Sequence, residues 1–219
     1  MIIIDTKSSD IRTIDGVKNI PLYKFKMLPY ALENREYTDY IFQSPQAVLN
    51  FSKHLNLLRN SNTNAYAIGD TTKNTLSHFG IDSISPIIPG SEELIKRLKD
   101  RMLDKKFLII KGSDGLNLIF KFLEENNINS DEISVYERVR LDDYSNLKED
   151  FEGADAIIFP SVYAADIFFE KIYTKNINAK LFCISNRILN QLNKRGYKAK
   201  ILENYFSNCD LIQEIKKSI

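Results

Sequence analysis

Tryptophan is absent from the 219-residue chain, and cysteine and histidine occur only twice each, as Cys183, Cys209, His54 and His78. Two thiols build no disulfide framework, and this small set has no zinc-ligand spacing, so neither a disulfide scaffold nor a structural metal is expected. Charge of one sign is missing too. Lys and Arg number 30 against 29 Asp and Glu, a formal +1, which argues against the broad basic surface that nucleic acid or an anionic membrane demands. No apolar run approaches the roughly 18 residues of a membrane span. The opening Met-Ile-Ile-Ile-Asp is too short for a secretory leader and lacks a basic start and a small-residue cleavage site. A cytoplasmic protein in a reducing compartment is expected, and no function attaches to the missing Trp.

What is present suffices for a core: 43% apolar and 11% aromatic residues, over a length that holds one large domain or two of roughly 100 residues. Short apolar runs alternate with helical-period stretches. The runs are 2–4, 40–42, 65–68, 107–110, 156–159 and 181–184, and the last five each end in a small polar or glycine residue before a helical pattern. This is the signature of a doubly wound α/β fold with parallel strands.

The chain also repeats itself. Tyr40-Ile-Phe-Gln-Ser44 and its helix with Ala47, Val48 and Phe51 parallel Ile157-Ile-Phe-Pro-Ser161 and its helix with Ala164, Ala165 and Phe168, 117 positions on. Ala67-Ile-Gly-Asp70 with Leu76 and Gly80 parallels Cys183-Ile-Ser-Asn186 with Leu192 and Gly196, each glycine standing where a helix needs a left-handed C′ residue. Leu94-Ile95 recurs as Leu211-Ile212. A weaker repeat aligns Met1 to Ile4, leading to Ile20-Pro-Leu-Tyr23, with Phe107 to Ile110, leading to Ile133-Ser-Val-Tyr136. The order is thus A (1–28), B (37–101), A′ (106–141), B′ (153–219), with A shortened and Ser9 and Gly16 as cap and stop of its one- or two-turn helix. Pattern alone leaves open whether A joins B or B′. Two similar lobes facing each other across a crevice are expected, with function there.

Strand-to-helix turns carry Ser44-Pro45, Gly69-Asp-Thr71-Thr72, Lys111-Gly112-Ser113-Asp-Gly115, Ser161 and Ser185-Asn186. Helix-start amides at such turns suit carboxylate or phosphate, although ordinary N-capping explains any one of them taken singly. Lys111-Gly-Ser-Asp-Gly lacks the closing Gly-Lys-Ser/Thr of a phosphate loop, and no Gly-x-Gly-x-x-Gly occurs, so a nucleotide cofactor is unsupported. Segments 22–29 and 135–143 alternate like strands. Period 2 puts Tyr136, Arg138 and Arg140 on one face, a phenol able to protonate a leaving oxygen beside two cations for an anionic substrate; a half-buried Tyr with solvated Arg is the plainer alternative. His54 and His78 fall within helical patterns. Both cysteines lie in B′, which excludes a one-thiol-per-lobe acid/base pair, and Asp39 and Asp155 precede strands where a phospho-acceptor would follow them.

Together these residues resemble the uroporphyrinogen-III synthase family over nearly the whole chain. The matching phrases are Tyr40-Ile-Phe-Gln-Ser-Pro-Gln-Ala-Val48, Ala67-Ile-Gly-Asp-Thr-Thr72, Phe107-Leu-Ile-Ile-Lys-Gly-Ser-Asp-Gly115 and Val135-Tyr136. The resemblance implies two flavodoxin-like lobes joined by a two-stranded β ladder, with A in the lobe of B′: 1–22 plus 142–219 in one lobe, 29–134 in the other, and linker strands 23–28 and 135–141. It implies a cofactor-free, monomeric hydro-lyase that closes hydroxymethylbilane, with its eight carboxylates, to uroporphyrinogen III, losing water and inverting the last pyrrole ring through a spiro intermediate. By carry-over Tyr136 assists departure of the hydroxyl. Ser44, Gly69, Thr71, Thr72, Lys111, Gly112, Ser113, Arg138, Ser161 and Ser185 are expected to hold substrate, largely through main-chain amides. A polyanion held in this way needs no strongly basic protein.

The sequence departs from the family pattern in places. Asp5-Thr6-Lys7 replaces an N-terminal Thr-Arg-Pro, Leu116 stands for an arginine after the loop glycine, Pro160 for a threonine, and Arg187-Ile188 for a threonine pair. With the trimmed A segment, these motivate one alternative: a two-lobed tetrapyrrole or anion binder without chemistry.

Overall fold

The structure, a computed structural model, describes residues 1–8, 14–32, 36–205 and 210–219. Ser9 and Cys209 lie outside the described residues. The chain divides into two compact units, Met1–Lys24 with Val139–Ile219, and Phe25–Arg138.

In the first unit, β1 (Ile3–Asp5), β2 (Lys18–Asn19), β8 (Ala156–Phe159), β9 (Lys180–Cys183) and β10 (Ala199–Ile201) form a parallel sheet in the order β10-β9-β8-β1-β2. Strand A therefore pairs with B′. In chain order this is the 2-1-3-4-5 arrangement of flavodoxin-like sheets, with its reversal between β1 and β8. In the second unit β4 (Asp39–Phe42), β5 (Asn64–Ala67), β6 (Lys106–Gly112) and β7 (Asn129–Arg140) pair in parallel as β7-β6-β4-β5, and a parallel bridge from Tyr66 to Ile84 extends the β5 edge. The spatial neighbours match those of the first sheet, and the reversal falls between β4 and β6. The last neighbour of β7 is β3 (Tyr23–Met27). Leu28 N donates to Val135 O at 3.1 Å and Lys26 meets Glu137 at 2.9 Å, contacts that step down one strand as they step up the other.

Sheet register corrects one alignment. Ile4 opposes Ile157, whereas Tyr40, the counterpart of Ile157, is opposed by Leu108. Ile4 therefore matches Leu108 rather than Ile110, a shift of two that preserves every face and so is invisible to a period-2 pattern.

Period 2 also explains why the strands are apolar throughout. Tyr40, Phe42, Leu108 and Ile110 join one core with Ala47, Val48 and Phe51, while Ile41, Phe107 and Ile109 join another with Leu94, Leu98, Ile119 and Leu123. The first core is covered by α1 (Pro45–Asn50), the second by α3 (Ser91–Leu98) and α4 (Leu118–Glu125). In the first unit Ile3, Ala156, Ile158 and Phe182 pack against Leu211 and Ile215 of α8 (Leu211–Lys216), and Phe159 packs against Phe168 and Phe169. Phe151 of α5 (Lys148–Glu152) meets the same Phe168 ring at 5.4 Å. Each fully buried Leu, Ile, Val or Phe among these contributes roughly 1.5–3 kcal/mol. Exposed ion pairs such as Lys18–Asp150 and Arg195–Asp166 contribute about 0–1 kcal/mol each, so the two-sided apolar packing holds each sheet.

Helix ends follow the sequence. Gly80 and Gly196 have φ of +73° and +81° after α2 (Asp70–His78) and α7 (Asn186–Lys194), the left-handed stops that the repeat predicts. Ser44 and Ser161 cap α1 and α6 (Val162–Ile167), their Oγ accepting Ala47 N and Ala164 N, each at 3.1 Å. Among the described residues no helix is long and apolar enough to cross a membrane.

Candidate active site

Strand β7 is where local pairing makes the site. It runs in register with β6 until Lys111 faces Ser134, then slips so that Gly112 faces Tyr136. The bulge puts the adjacent Val135 and Tyr136 into one core, a break in alternation that a period-2 reading does not contain. Tyr136 is 4% exposed, its ring edge-on to Phe25 with centroids 5.2 Å apart. Its carbonyl accepts Ser113 N at 2.9 Å. A Cβ on Gly112 would lie 2.7 Å from Tyr136 Cζ and 3.0 Å from Oη, so only glycine lets the phenol lie flat on the turn.

The phenol reaches the end of β4. Tyr136 Oη and Ser44 Oγ are 2.9 Å apart. The pair holds two hydroxyl protons, and either oxygen can be the donor of the link between them. Ser44, Gly112, Ser113 and Tyr136 thus gather at the carboxyl ends of β4 and β6, where the strand order reverses and open α/β sheets take their ligands. Arg138 joins them through Asp114 of the same turn, at 3.1 Å. Gly115 N closes that turn on Gly112 O at 2.9 Å.

Gly69-Asp70-Thr71-Thr72 follows the neighbouring strand β5, tied to β4 by Ile68 N donating to Phe42 O at 3.0 Å. Gly69 is backbone-extended, and its lack of a side chain admits Pro89, which a Cβ would approach to 2.7 Å. Thr71 is exposed. Thr72 is fully buried, and among the described residues its Oγ1 has no hydrogen-bond partner. The carbonyl a helical threonine ordinarily uses, four residues back, is Ile68 O, which accepts Gly90 N at 3.0 Å; Thr75, by contrast, donates to Thr71 O at 2.8 Å.

Two cations near the site have carboxylate partners. Lys111 is 3% exposed, its ammonium bound to Asn117 and 2.9 Å from Glu132 Oε2. Its charge neutralises Glu132, because position 111 faces inward at the strand's end. Arg140, expected beside Tyr136 as an anion holder, instead forms a bidentate pair with Glu170 at 2.7 and 2.6 Å. Hydrogen bonds from Arg140 and then Lys171 hold the Glu170 carboxyl at about 2, below its ordinary 4.5. A folded-state value below the unfolded one means that the pair's stabilisation is present above pH 4.5 and fades as pH falls toward 2. Glu170→Gln is accordingly expected to flatten the decline of Tm between about pH 5 and pH 2, measured by thermal denaturation; an unchanged pH dependence contradicts this.

Ser161 and Ser185 belong to the first unit. Ser161 Oγ lies 3.5 Å from Tyr23 Oη, and the Tyr23 ring is edge-on to Tyr163 at 5.1 Å. Ser185 starts α7 without a side-chain capping bond, and its carbonyl accepts from the Cys183 thiol at 3.7 Å. Burial pushes that thiol up, away from a reactive thiolate. His78 Nδ1 contacts Asn74 O at 2.6 Å, and His54 packs edge-on to Tyr30 and tilted against Phe51, so both imidazoles have structural partners. Asp39 accepts from Asn64 and Tyr66 at the far end of β4. Sequence reasoning missed Asp114, Asn117 and Glu132, since ordinary loop and strand polar residues carry no signal of their partners.

The family model described as "Uroporphyrinogen-III synthase HemD" matches residues 19–218. The chain belongs to the uroporphyrinogen-III synthase family. Among solved structures, uroporphyrinogen-III synthetase from Helicobacter pylori is 20% identical with a TM-score of 0.71, over 99% of this chain and 98% of that one. A mutant uroporphyrinogen III synthase from Thermus thermophilus is 12% identical with a TM-score of 0.61, over 99% and 97%. At these identities the structural likeness speaks for the fold: two mostly parallel sheets flanked by helices. No curated protein matches the chain.

Proposed function

We propose that the protein is an active, cofactor-free hydro-lyase that converts hydroxymethylbilane to uroporphyrinogen III in tetrapyrrole biosynthesis, working as a cytoplasmic monomer. Family membership sets the pathway. The observation that carries the chemistry is the Tyr136 hydroxyl, 2.9 Å from Ser44 on a glycine turn at the strand-order reversal.

Tyr136 Oη gives its proton to the leaving hydroxyl oxygen, the carbon–oxygen bond breaks with its electron pair going to that oxygen, and water departs. The pyrrole nitrogen lone pair feeds the carbocation so formed. Ring closure and rearrangement through the spiro intermediate end with loss of a ring proton, which returns to the phenolate. Ser44 donates to the phenolate while it exists, so the pair's link has its greatest value at the moment of charge development. Ser44, Gly69, Thr71, Thr72, Gly112, Ser113, Arg138, Ser161 and Ser185 are the groups we assign to the substrate; Lys111 supports the turn from within. The buried Thr72 hydroxyl, without a partner among the described residues, supports its assignment, since such a group gains most from a ligand acceptor. The test is the isomer composition of porphyrin made from hydroxymethylbilane generated in situ: type III is expected, and the spontaneous type I alone contradicts the reading.

A further inference from the structure

The contact between Tyr136 and Ser44 spans a strand. Ser44 follows β4 and Tyr136 lies on β7, with β6 running between them, so the 2.9 Å link crosses over the end of β6. Its length depends on how the loop that continues β6, residues 112–116, is held against β4. On the β7 side the loop is tied by Ser113 N to Tyr136 O, by Asp114 to Arg138 and by the ring seated on Gly112. On the β4 side the half-buried Gln43, the residue before Ser44, makes the crossing. Its backbone N donates to Ile110 O at 3.0 Å, continuing the pairing of β4 with β6, and its Nε2 donates to Leu116 O at 3.3 Å. A carbonyl can only accept, so the amide presents its nitrogen to Leu116 and its oxygen to Gly115. Gly115 leaves the room for it: a Cβ there would lie 3.1 Å from Gln43 Oε1 and 3.0 Å from Gly112 O.

The duplicated plan supplies an internal comparison. Ser161 is the counterpart of Ser44 at 117 positions and Tyr23 that of Tyr136, so the counterpart of Gln43 is Pro160, which has no side-chain donor. Both serines cap their helices through the same Oγ-to-Ala contact at 3.1 Å, which places the two serine hydroxyls alike. Yet Tyr23 Oη and Ser161 Oγ stand 3.5 Å apart, against 2.9 Å for Tyr136 and Ser44. The shorter contact occurs where a side chain ties the intervening loop to the serine's strand. We infer that Gln43 is a positioning residue: through the loop 112–116 it sets the distance between the Tyr136 and Ser44 hydroxyls and thereby the rate of proton delivery, acting through Tyr136 rather than on the substrate. This rests on the proposed synthase reaction.

Gln43→Met keeps the length of the side chain and removes its donor, and Gln43→Glu keeps the shape and sets a carboxylate oxygen where the donor was. Each is expected to lower kcat for type III formation about tenfold, with KM for hydroxymethylbilane and Tm near those of the parent, since misplacing a catalytic group by about an ångström costs up to about 10²-fold. In the Tyr136→Phe background, where no phenol proton is left to place, neither substitution is expected to lower kcat further. A merely structural role would lower Tm, and its losses would multiply in both backgrounds. Type III product from the parent protein with kcat unmoved in both single variants overturns this inference alone, as does a loss in kcat that comes only with a lower Tm or that recurs in full in the double variants. Type I product alone from the parent overturns it together with the synthase reading.

Discussion

Tyr136→Phe is expected to lower kcat for type III formation by about 10²-fold while leaving KM and Tm near those of the parent, because general-acid help to a leaving group is worth roughly 10²–10⁴ in rate. The substitution removes one oxygen from a ring that otherwise keeps its edge contact with Phe25 and its seat on Gly112. Ser44 keeps its cap on Ala47, so the turn loses no backbone bond. Equal losses in kcat and kcat/KM mark an interaction made in the transition state only. Single-turnover kinetics with hydroxymethylbilane reads the effect, and an unchanged kcat removes Tyr136 from the chemistry.

Gly112→Ala is the second large effect, and it acts through the same oxygen. Gly112 is not among the positive-φ glycines, so alanine meets no backbone strain there. All of the effect is steric: the new methyl would stand 2.7 Å from Tyr136 Cζ and 2.8 Å from Cε2, far inside van der Waals contact. The ring must leave the turn, which takes Oη away from Ser44. Overpacking of this kind costs about 1–3 kcal/mol in stability, and activity is expected to fall more than tenfold. In the Tyr136→Phe background the added methyl is expected to lower activity little further, since both changes remove one function. Independent, multiplying losses measured in the double variant contradict this coupling.

Much of the fold was legible because parallel strands covered on both faces leave near-continuous apolar runs, and the 117-residue repeat exposed the plan twice. What was not legible has specific causes. The pairing of A with B′ joins residues roughly 150 positions apart, as Ile4 with Ile157, so pattern alone left it open and only the family resemblance implied it. Strands β2 and β10, of two and three residues, are too short to carry a period. The slip between Lys111 and Gly112 that sets Tyr136 on its turn reverses alternation for one residue, which no periodic pattern foresees. The partners of charged residues were hidden too. Lys111 read as a substrate contact of its turn and Arg140 as a cation beside Tyr136, and each has a carboxylate of its own, Glu132 and Glu170, 21 and 30 positions away. Small turn residues were read more faithfully, because a capping serine or a stop glycine answers to its own backbone and needs no distant partner.

The Tyr136–Ser44 turn as the seat of an active synthase is tested most directly by supplying hydroxymethylbilane from its own synthesis and chromatographing the oxidised porphyrins at equal conversion. Predominantly type III isomer with the parent protein, reverting toward type I with Tyr136→Phe, is the expected result. Type I alone with the parent protein, even where it binds the tetrapyrrole, would contradict it.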